Sequence, residues 1–566
     1  MYRRLYGERS NPSLVLAHGA RNLVDGFRDS VVQASEQEAD RDYGRGESSA
    51  SATCNAWLAD NRKKALLAEV GVGTIDQALL GILPARHQSL RLLGLSGKVL
   101  LVDEVHACDD YMLQLLKRLL TAHARQGGSA ILLSATLPAV MRAELVQAYR
   151  FGLGISDDGP EDDTRYPLAT QAGQAVIAHA CETRPQLVRE VQIRALHAED
   201  DVLALVAKEA AAGRSVCWIR NTVDDARRAF SVLEGSVPAE CLTLFHSRFA
   251  MGDRLNIEDR ALRRFGKTST ADLRRGQVLV ATQVVEQSLD LDFDVLISDL
   301  APIDLLIQRA GRLQRHARNE DGSLAEDGIE RRPAPELHLL LPSLEETPSE
   351  HWYSDLFPKA CHVYPDSGRL WLGAQALLEA GRIISPGRAG QPGAVRELVE
   401  AVYGEQTRPI PDALQKATLA QKGKALAEQS QASFNALHLD KGYCIDSSAR
   451  WSEDTSAPTR LGETSVTLYL ARAVDGTLQP LCDASVHAWE QSSIRIDARH
   501  ASALSPEWES RFGVALLTLR SRYRLLETPA FVLPLQEVDG VLIGYVLDGR
   551  GLVRQVRYDA RQGLLW

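Results

Sequence analysis

Two acidic residues and a histidine stand directly after an apolar run in the first quarter of the chain. The run 98–102 leads into Asp103-Glu104-Val105-His106. Nucleotide hydrolysis needs one carboxylate to hold Mg²⁺, usually through water, and a second group to orient or deprotonate the attacking water. Asp103 suits the metal and Glu104 suits the water. A solvated acidic turn after a strand is the ordinary alternative.

A hydroxyl-rich segment, Ser134-Ala-Thr136-Leu-Pro138, follows the next apolar run. It would lie beside the acidic pair, because the carboxyl ends of parallel strands share one sheet edge, where ligands bind. Hydroxyls at this place could couple the acidic pair to a second site. Capping of a following helix is the ordinary alternative, since Ser and Thr satisfy free helix N–H groups.

A basic segment, Gln308-Arg-Ala-Gly-Arg312-Leu-Gln-Arg315-His, lies in the middle of the chain. On a helix, Gln308, Arg312 and Arg315 have the spacing i, i+4, i+7 and share one face. Guanidinium groups on that face suit the phosphates of a nucleotide and the charge that develops in phosphoryl transfer. A basic, solvated helix face is the alternative.

The segment Ala281-Thr282-Gln283-Val-Val-Glu-Gln-Ser-Leu-Asp290 follows another apolar run. Its small hydroxyls and amides suit contacts to a phosphodiester backbone in a cleft between domains. Ordinary loop capping would use the same residue types.

The elements that must position these residues are buried strands alternating with helices. Residues 98–103 predict a strand, 110–123 a helix and 130–133 a second strand, which together form one βαβ unit. The pattern recurs at 215–219, a helix from Thr222, 277–281 and 294–298. The fold class is therefore α/β, with two parallel-sheet blocks.

Composition shifts divide the chain further. Residues 154–167 are acidic and rich in turn formers, which favours an exposed connection. Residues 393–440 predict mostly helix, and runs such as 465–470 and 541–546 indicate a small C-terminal mixed domain. The predicted domains are a partial first block at 1–153, a connection at 154–190, a second block at 191–345, a mostly helical linker at 346–440 and a C-terminal domain at 441–566.

Charge and composition exclude several classes of protein. The 566 residues carry a net charge of −10, so any nucleic-acid binding must be local. No apolar run approaches the ~20 residues that span a bilayer, and the first residues show no secretory or lipidation signal. The eight cysteines include no C-x-x-C pair. A reducing cytoplasm without membrane attachment is the expected location.

The ordered motifs resemble those of superfamily 2 helicases. They are V-G-V-G-T-I-D-Q (70–77), L-L-V-D-E-V-H (100–106), S-A-T-L-P (134–138), N-T-V (221–223), F-H-S-R-F (245–249), V-A-T-Q-V-V-E-Q-S-L-D (280–290) and Q-R-A-G-R-L-Q-R-H (308–316). Together they are more narrowly similar to the CRISPR-associated helicase-nuclease of type I interference systems. Thr459-Arg460-Leu-Gly-Glu463 resembles the start of that family's C-terminal domain.

The resemblance implies two RecA-like domains that clamp ATP with Mg²⁺, the first of them incomplete here, followed by a helical linker and a C-terminal domain. It implies 3′ to 5′ movement along single-stranded DNA, on the strand displaced by an RNA-guided surveillance complex in antiviral defence. That complex and single-stranded DNA would be the partners.

The same resemblance assigns roles to individual residues. Those that would serve ATP are Asp103 (with water-mediated Mg²⁺), Glu104, His106, Asp290, Gln308, Arg312 and Arg315. Those that would lie along or near the DNA are Thr74, Ser134, Thr136, Asn221, Thr222, His246, Arg248, Thr282 and Gln283.

Two family features are missing from the sequence. None of the fourteen histidines is followed by Asp, so no His-Asp metal doublet of the HD nuclease is present. Residues 1–102 contain no phosphate-binding G-x-x-x-x-G-K-[ST] loop, and neither Gly97-Lys98 nor the 261–268 segment fits its strand–loop–helix context. We therefore expect weak or no ATPase activity from this chain alone, and poor solubility.

Three interpretations remain open from the sequence. The chain is the motor portion of the helicase, completed by a separate N-terminal polypeptide that carries the HD and Walker A segments. Alternatively, it is a non-catalytic remnant that binds DNA or docks on the complex. A different superfamily 2 motor is the third, although it fits the E-Q-S-L-D-L-D and T-I-D-Q segments less well.

Overall fold

In a computed structural model, the chain folds into two compact units. The structure describes residues 14–17, 65–85, 87–156, 163, 165–184, 187–286, 289–405, 407–439, 459–461, 465–482, 487–522 and 530–566. The first unit comprises Met1–Glu182 and Ala420–Leu461, and the second comprises Thr183–Leu419 and Gly462–Trp566. Most of the first 64 residues, and Gln287, Ser288, Gly462 and Glu463 of the predicted motifs, lie outside the described residues.

The first unit contains short parallel strand pairs covered by helices. Its strands are β1 (Leu14–Ala17), β2 (Val70–Gly73), β3 (Val99–Val102), β4 (Ser129–Leu132), β5 (Leu168–Ala172) and β6 (Val176–Ala180). Its helices up to Gly152 are α1 (Ile75–Leu79), α2 (Gln88–Leu95), α3 (Asp110–Arg125) and α4 (Ala139–Gly152). β1 pairs with β2 and β3 with β4, both in parallel, whereas β5 and β6 are antiparallel. The βαβ unit predicted from 98–133 is thus present.

The β3–β4 pair is buried on one face and open on the other. Leu100, Val102, Ala130 and Leu132 face the core formed with α3 and α4. The alternate side chains Val99, Leu101, Ile131 and Leu133 are 45–62% exposed. Parallel sheets are normally covered on both faces, so four large apolar side chains on one face mark a surface that lacks its cover within the described residues.

The second unit is built on a seven-stranded sheet. Its strands are β7 (Arg189–Leu196), β8 (Val216–Ile219), β9 (Leu242–Phe245), β10 (Val278–Ala281), β11 (Val295–Asp299), β12 (Glu336–Leu340) and β13 (Arg382–Ser385). They run in the order β13-β7-β12-β11-β8-β10-β9, and β13 alone pairs antiparallel. Every residue of β8, β9, β10 and β11 is buried, as expected for strands covered on both faces.

The helices that follow in the chain include segments that the sequence predicts as a linker. They are α5 (Glu199–Ala211), α6 (Val223–Leu233), α7 (Met251–Phe265), α8 (Ala271–Arg274), α9 (Ile303–Ala310), α10 (Ser367–Ala380), α11 (Val395–Tyr403) and α12 (Asp412–Asn435). Residues 346–419 belong to the second unit, where β13 joins the sheet, and the remainder of α12 belongs to the first unit. The segment 346–440 is therefore not a separate linker, because each of its parts is included in one of the two compact units.

The C-terminal part of the second unit forms an eight-stranded sheet. Its strands are β14 (Ser465–Val474), β15 (Thr477–Pro480), β16 (Ser493–Asp497), β17 (Ala503–Leu504), β18 (Ala530–Val538), β19 (Val541–Leu547), β20 (Val553–Asp559) and β21 (Gly563–Leu565). Two helices, α13 (Ala488–Gln491) and α14 (Pro506–Arg522), accompany it. The β14–β18 pair is parallel and its other pairs are antiparallel.

The end of this sheet contacts the loop 246–250, which follows β9. The Leu564 N–H donates to the Arg248 carbonyl oxygen at 2.7 Å. The Ala250 N–H donates to the Tyr558 hydroxyl at 3.0 Å. His246 is buried beneath this contact and stacks on Phe249, with ring centroids 4.5 Å apart. The C-terminal sheet and the seven-stranded sheet are therefore joined at this loop.

The described cysteines and helices show no covalent cross-link and no membrane span. The described cysteines, Cys108, Cys181, Cys217, Cys241, Cys361 and Cys482, are all free thiols. Among the described helices, none is both long and apolar enough to cross a bilayer.

The open face of β3–β4 can be tested with paired substitutions. Leu101→Lys with Ile131→Glu should reduce light scattering of the purified chain and change its unfolding free energy by no more than about 1 kcal/mol, because both side chains are about half exposed and the two new charges are of opposite sign across the strand pair. Leu116→Ala, at a fully buried position of α3, should cost about 2–5 kcal/mol in urea unfolding. A Lys–Glu pair as costly as Leu116→Ala would show that the face is covered.

His246 predicts a specific dependence of stability on pH. Burial lowers the pKa of His246 to about 3, with Arg248 and Arg227 adding to the effect. In the unfolded chain its pKa would be ~6.5, so between these values the unfolded state binds more protons and stability falls as pH falls. This residue should cost about 1.4 kcal/mol between pH 7.5 and pH 5.5.

His246→Phe provides the comparison, because Phe cannot titrate. Urea unfolding at both pH values should show that this variant loses less stability on acidification than the unmodified chain. His351→Gln, at an exposed histidine, should retain the original pH dependence. Equal losses in all three proteins would show that His246 is not a buried neutral histidine.

Candidate functional site

The acidic edge of the first unit is assembled by one histidine. Asp103 and Glu104 are exposed after β3, and His106 lies in the 3₁₀ turn Val105–Ala107. His106 Nδ1 is 2.9 Å from the Ser134 hydroxyl and 3.4 Å from Glu104 Oε2. Parallel pairing of β3 with β4 brings both strand ends to one edge, where one imidazole contacts the acid after β3 and the hydroxyl after β4.

The backbone of Glu104 is held in an uncommon conformation. Its φ of 53° lies in the left-handed region, which non-glycine residues seldom occupy. The Glu104 N–H donates to Asp103 Oδ1 at 2.9 Å, and the Val105 N–H donates to the Leu133 carbonyl oxygen at 3.1 Å. These bonds fix a tight turn that leaves Glu104 exposed to solvent. Strain of this kind is common at sites of chemistry.

The neighbouring hydroxyls differ in accessibility. The Thr136 N–H donates to the Ser134 hydroxyl at 3.3 Å, whereas Thr136 itself is buried and its Oγ1 has no hydrogen-bond partner among the described residues. Thr74 is exposed at the start of α1, and its side chain makes no capping hydrogen bond. The structure therefore brings Ser134 to the acidic edge, leaves Thr74 open to solvent and buries Thr136.

The T-I-D-Q segment contacts a segment almost four hundred residues away. Asp76 accepts hydrogen bonds from the Thr459 hydroxyl at 2.7 Å and from Arg460 Nε at 3.1 Å. Burial alone would raise the pKa of Asp76, but the bonds from Arg460 and Thr459 hold it below the usual value. Two of the motifs that carried the family resemblance thus bind one another.

A cleft of about 680 Å³ in the second unit gathers five of the predicted DNA residues. These are Asn221, Thr222, Arg248, Thr282 and Gln283. Three polar residues that the sequence analysis did not select, Ser247, Arg254 and Glu258, also line it. Arg254 and Glu258 occupy consecutive turns of α7 and form an ion pair at 3.0 Å. The only sequence signal for Arg254 and Glu258 was their i, i+4 charge pairing after F-H-S-R-F, and Ser247 lies within that motif.

Asn221 and Thr222 have local structural roles at this cleft. Asn221 is buried, and its Nδ2 donates to the Leu300 carbonyl oxygen at 2.7 Å and to the Tyr353 hydroxyl at 3.1 Å. Thr222 caps α6, since its hydroxyl accepts the Asp225 N–H at 3.1 Å. These contacts order the loop and leave its backbone on the cleft wall.

Thr282 and Gln283 continue the same wall. Thr282 is buried, and Gln283 Nε2 donates to the Asn221 carbonyl oxygen at 3.0 Å and to the Tyr364 hydroxyl at 3.1 Å. Gln283 thereby joins the loops after β8 and β10, which lie side by side in the sheet.

His246 and Arg248 differ although they are two residues apart. His246 is buried, and its Nδ1 accepts the Arg248 N–H at 3.1 Å. Arg248 reaches the cleft, and its Nη1 donates to Asp224 Oδ1 at 2.9 Å. Lys359 donates to the other oxygen of Asp224 at 2.6 Å, so two cations share one carboxylate. Arg248 can therefore meet a further anion in the cleft, and His246 supports it from below.

The basic segment does not form the single helix face that its spacing predicts. α9 ends at Ala310, so Gln308 lies on the helix while Arg312 and Arg315 lie beyond it. The helix ends because residues around Leu313 bond to Phe293: the Phe293 N–H donates to the Arg312 carbonyl oxygen at 3.1 Å, and Leu313 is fully buried.

The two arginines then have different surroundings. Arg312 is buried, and its Nη1 donates to the Leu289 carbonyl oxygen at 2.5 Å while its Nη2 donates to that of Glu286. Arg315 is exposed and pairs with Asp290 at 2.7 Å, and His316 approaches the same carboxylate at 3.1 Å. Arg315 is therefore more accessible to a nucleotide than Arg312.

Arg309, which the sequence analysis did not select, is extensively hydrogen-bonded. Its Nε donates to Glu286 at 2.7 Å, and its Nη1 donates to the Ser298 hydroxyl at 2.8 Å and to the Asn221 side-chain oxygen at 3.3 Å. The apolar face of α9, Leu306 with Ala310, indicated only that this side of the helix is buried.

The carboxylates suit a metal that is completed by a nucleotide. Within the described ranges, no group of three or more His, Cys, Asp or Glu side chains could hold a metal ion. Mg²⁺ in nucleotide sites keeps several waters and uses one or two carboxylates together with substrate phosphates. The exposed Asp103 fits that requirement and would supply the protein's ligand.

Comparison with known proteins identifies relatives of the chain. Residues 212–318 match the model of a family described as CRISPR-associated nuclease/helicase Cas3, C-terminal. The CRISPR-associated endonuclease/helicase Cas3 of Escherichia coli (strain K12) is 34% identical over 419 residues, which are 71% of this chain and 43% of that protein. The protein of the same name from Thermus thermophilus is 35% identical over 477 residues, 76% of this chain and 47% of that protein. The chain thus spans about half the length of these relatives.

Solved structures with similar folds point to the same relatives. A crystal structure of T. fusca Cas3 with ADP superposes with a TM-score of 0.73 at 27% identity and covers 100% of this chain and 62% of that one. A chain of a CRISPR RNA-guided surveillance complex, described as pre-nicking, gives a TM-score of 0.67 at 27% identity and covers 98% of this chain and 64% of that one.

These matches confirm both the family resemblance and the predicted α/β class with parallel sheets. The roles of single residues stay predictions. Over about three quarters of its length, the chain is thus similar to the CRISPR-associated nuclease/helicases named Cas3.

Proposed function

We propose that this chain is the ATP-dependent motor portion of a CRISPR type I interference effector. It would move 3′ to 5′ along the DNA strand displaced by an RNA-guided surveillance complex. The observation that carries the proposal is the acidic edge, where His106 joins Glu104 to Ser134 at the carboxyl ends of paired parallel strands. Relatives of the family support it, including T. fusca Cas3 structures with AMPPNP, ADP and ATP.

On the ATP side, the residues divide the work by exposure. Asp103 would hold Mg²⁺ through water. When bound, Mg²⁺ supplies charge neutralisation at the phosphates. Glu104 would accept the proton of the attacking water, and His106 would hold its carboxylate in place. Gln308 and Arg315 would contact the nucleotide, with Arg315 stabilising charge in the transition state. Asp290 and Arg312 would position this segment.

The phosphate cradle would come from chain outside the sequence in hand. No Walker A loop precedes the acidic edge within residues 1–102. The Walker A and HD elements would be supplied either by a longer form of the same polypeptide or by a separate N-terminal partner.

On the DNA side, the second-unit cleft would bind the phosphodiester backbone. Its arginines and the Ser247 hydroxyl are groups that contact phosphates without reading sequence, whereas the Asn221 and Gln283 amides make internal bonds that shape the wall. Arg248, Ser247 and Arg254 provide the most accessible donors. Within the first unit, Thr74 and Ser134 would also contact DNA, with the buried Thr136 supporting Ser134.

A second candidate function is a non-catalytic remnant that binds DNA or docks on the surveillance complex. A difference between the units favours this function. The central strands of the second unit are fully buried, whereas the described part of the first unit leaves one face of β3–β4 open. Such a protein would retain DNA binding through the cleft and would lack hydrolysis even when a Walker A segment is supplied.

The ATPase assignment predicts a conditional effect of Glu104→Gln. The chain alone should hydrolyse ATP near background, because a phosphate loop is missing. After addition of a family polypeptide carrying the HD and Walker A segments, single-stranded DNA should stimulate hydrolysis, and Glu104→Gln should lower kcat by about 10²-fold or more. Glu144→Gln, at a partly exposed glutamate of α4, is the matched control and should leave the rate unchanged.

Two outcomes would contradict this assignment. Strong, DNA-stimulated hydrolysis by the chain alone that disappears in Glu104→Gln would show that no added segment is needed. No hydrolysis with any added segment, despite intact DNA binding, would favour the non-catalytic remnant.

The DNA assignment predicts a local effect on α7. Arg254→Gln should weaken binding of a fluorescein-labelled oligo-dT, measured by anisotropy, and reduce the slope of log K against log salt by about 0.7, because one phosphate contact is lost. Arg263→Gln lies on the same helix, is 70% exposed and does not line the cleft, so it should change neither quantity. Equal effects of both variants would show that binding follows total charge rather than the cleft.

A further inference from the structure

Arg248 is held from its side chain and from its backbone. Its guanidinium donates to Asp224 at 2.9 Å, and its Cζ lies 5.9 Å from the centroid of the Trp566 ring. The side chain is only 18% exposed, so a small shift of its surroundings would change how much of the guanidinium reaches the cleft. Asp224 and Trp566 are therefore two groups that set its direction.

The strand β21 holds the backbone of the same residue. The Leu564 N–H donates to the Arg248 carbonyl oxygen at 2.7 Å. At Gly563, where φ is +71°, a Cβ atom would lie 2.5 Å from that oxygen and 2.9 Å from His246 Cε1. Only glycine permits so close an approach, because any Cβ would push β21 away from the loop. The contact thus fixes the position of the Arg248 backbone.

Trp566 is itself fixed by a second aromatic ring. It stacks on His500 with centroids 5.1 Å apart and an interplanar angle of 15°. His500 follows β16, and Trp566 follows β21. The position of the indole therefore depends on two separate segments of the C-terminal sheet. Trp566 is 37% exposed, so it is not a core residue. Its ring contacts are with Arg248 and His500.

We infer that Trp566 is a positioning residue that aims the Arg248 guanidinium into the cleft, so that the C-terminal sheet controls the grip on single-stranded DNA. A cation over the indole face is attracted to it without losing its hydrogen-bond donors, which leaves Arg248 able to meet a phosphate. The inference rests on the proposed function of the cleft. It assigns to the C-terminal sheet a role that no motif of the sequence indicated.

The test is a double-variant cycle on the full chain with fluorescein-labelled oligo-dT. Arg248→Gln should weaken binding about three- to tenfold and reduce the salt slope by about 0.7. Trp566→Leu, which keeps apolar volume but removes the aromatic face, should weaken binding about two- to fivefold with a smaller salt slope. Trp566→Phe should bind nearly as well as the unmodified chain, because an aromatic ring is retained. In the double variant, Trp566→Leu should add little to Arg248→Gln.

Controls and other outcomes separate the inference from the proposed function. Val553→Ala, at an exposed position of β20, should leave binding unchanged, and thermal unfolding should show all variants folded. If Arg248→Gln weakens binding but Trp566→Leu does not, the positioning role is wrong and the DNA cleft stands. Additive effects would show that Trp566 contacts DNA on its own, which also overturns the positioning role. No effect of Arg248→Gln would overturn the assignment of the DNA site to this part of the cleft.

If Trp566→Leu fails to fold, His500→Ala removes the stacking partner of the indole instead. It should reproduce the loss of binding in the presence of Arg248 and have no effect in Arg248→Gln. Unchanged binding in His500→Ala would overturn the inference in that case.

Discussion

A fully buried guanidinium, that of Arg309, determines how the cleft of the second unit is arranged. A buried charge is costly unless it is paired and hydrogen-bonded, so its partners must converge on it. Glu286, Ser298 and Asn221 do so, and they come from different strands of the central sheet or the loops that follow them. Burial alone would lower the pKa of Arg309, yet Glu286 raises it above the usual value and keeps the charge.

This constraint explains why Asn221, one of the predicted DNA residues, faces inward. The side chain of Asn221 bonds to Arg309, Leu300 and Tyr353, and therefore orders the loop rather than contacting DNA with its amide. The accessible donors are left to residues at the rim, such as Arg248 and Ser247. A fixed polar interior beneath accessible rim donors suits a motor that must release and rebind a backbone without reading its sequence.

Periodicity predicted the strands β3, β4, β8, β10 and β11 and the helices α3 and α6, since apolar strands and amphipathic helices leave strong local patterns. It failed where non-local bonding ended or redirected an element. Arg312 and Arg315 have helical spacing, yet the backbone leaves the helix to bond with Phe293, which no local pattern reveals. Similarly, the polar, Ala- and Gln-rich composition of 393–440 correctly predicted helices. It did not reveal that the segment is divided between two compact units.

Residue types at fixed spacing along the chain were enough to indicate the family resemblance, the α/β class and the acidic residues after β3. Which polar donors stay accessible and which are consumed by internal bonds became known only from the folded chain. His246 and Arg248 are two residues apart and both polar, but His246 is buried beneath β21 whereas Arg248 reaches the cleft. That difference arises because their burial depends on Leu564 and its neighbours, more than three hundred residues away, and a local pattern carries no record of such partners.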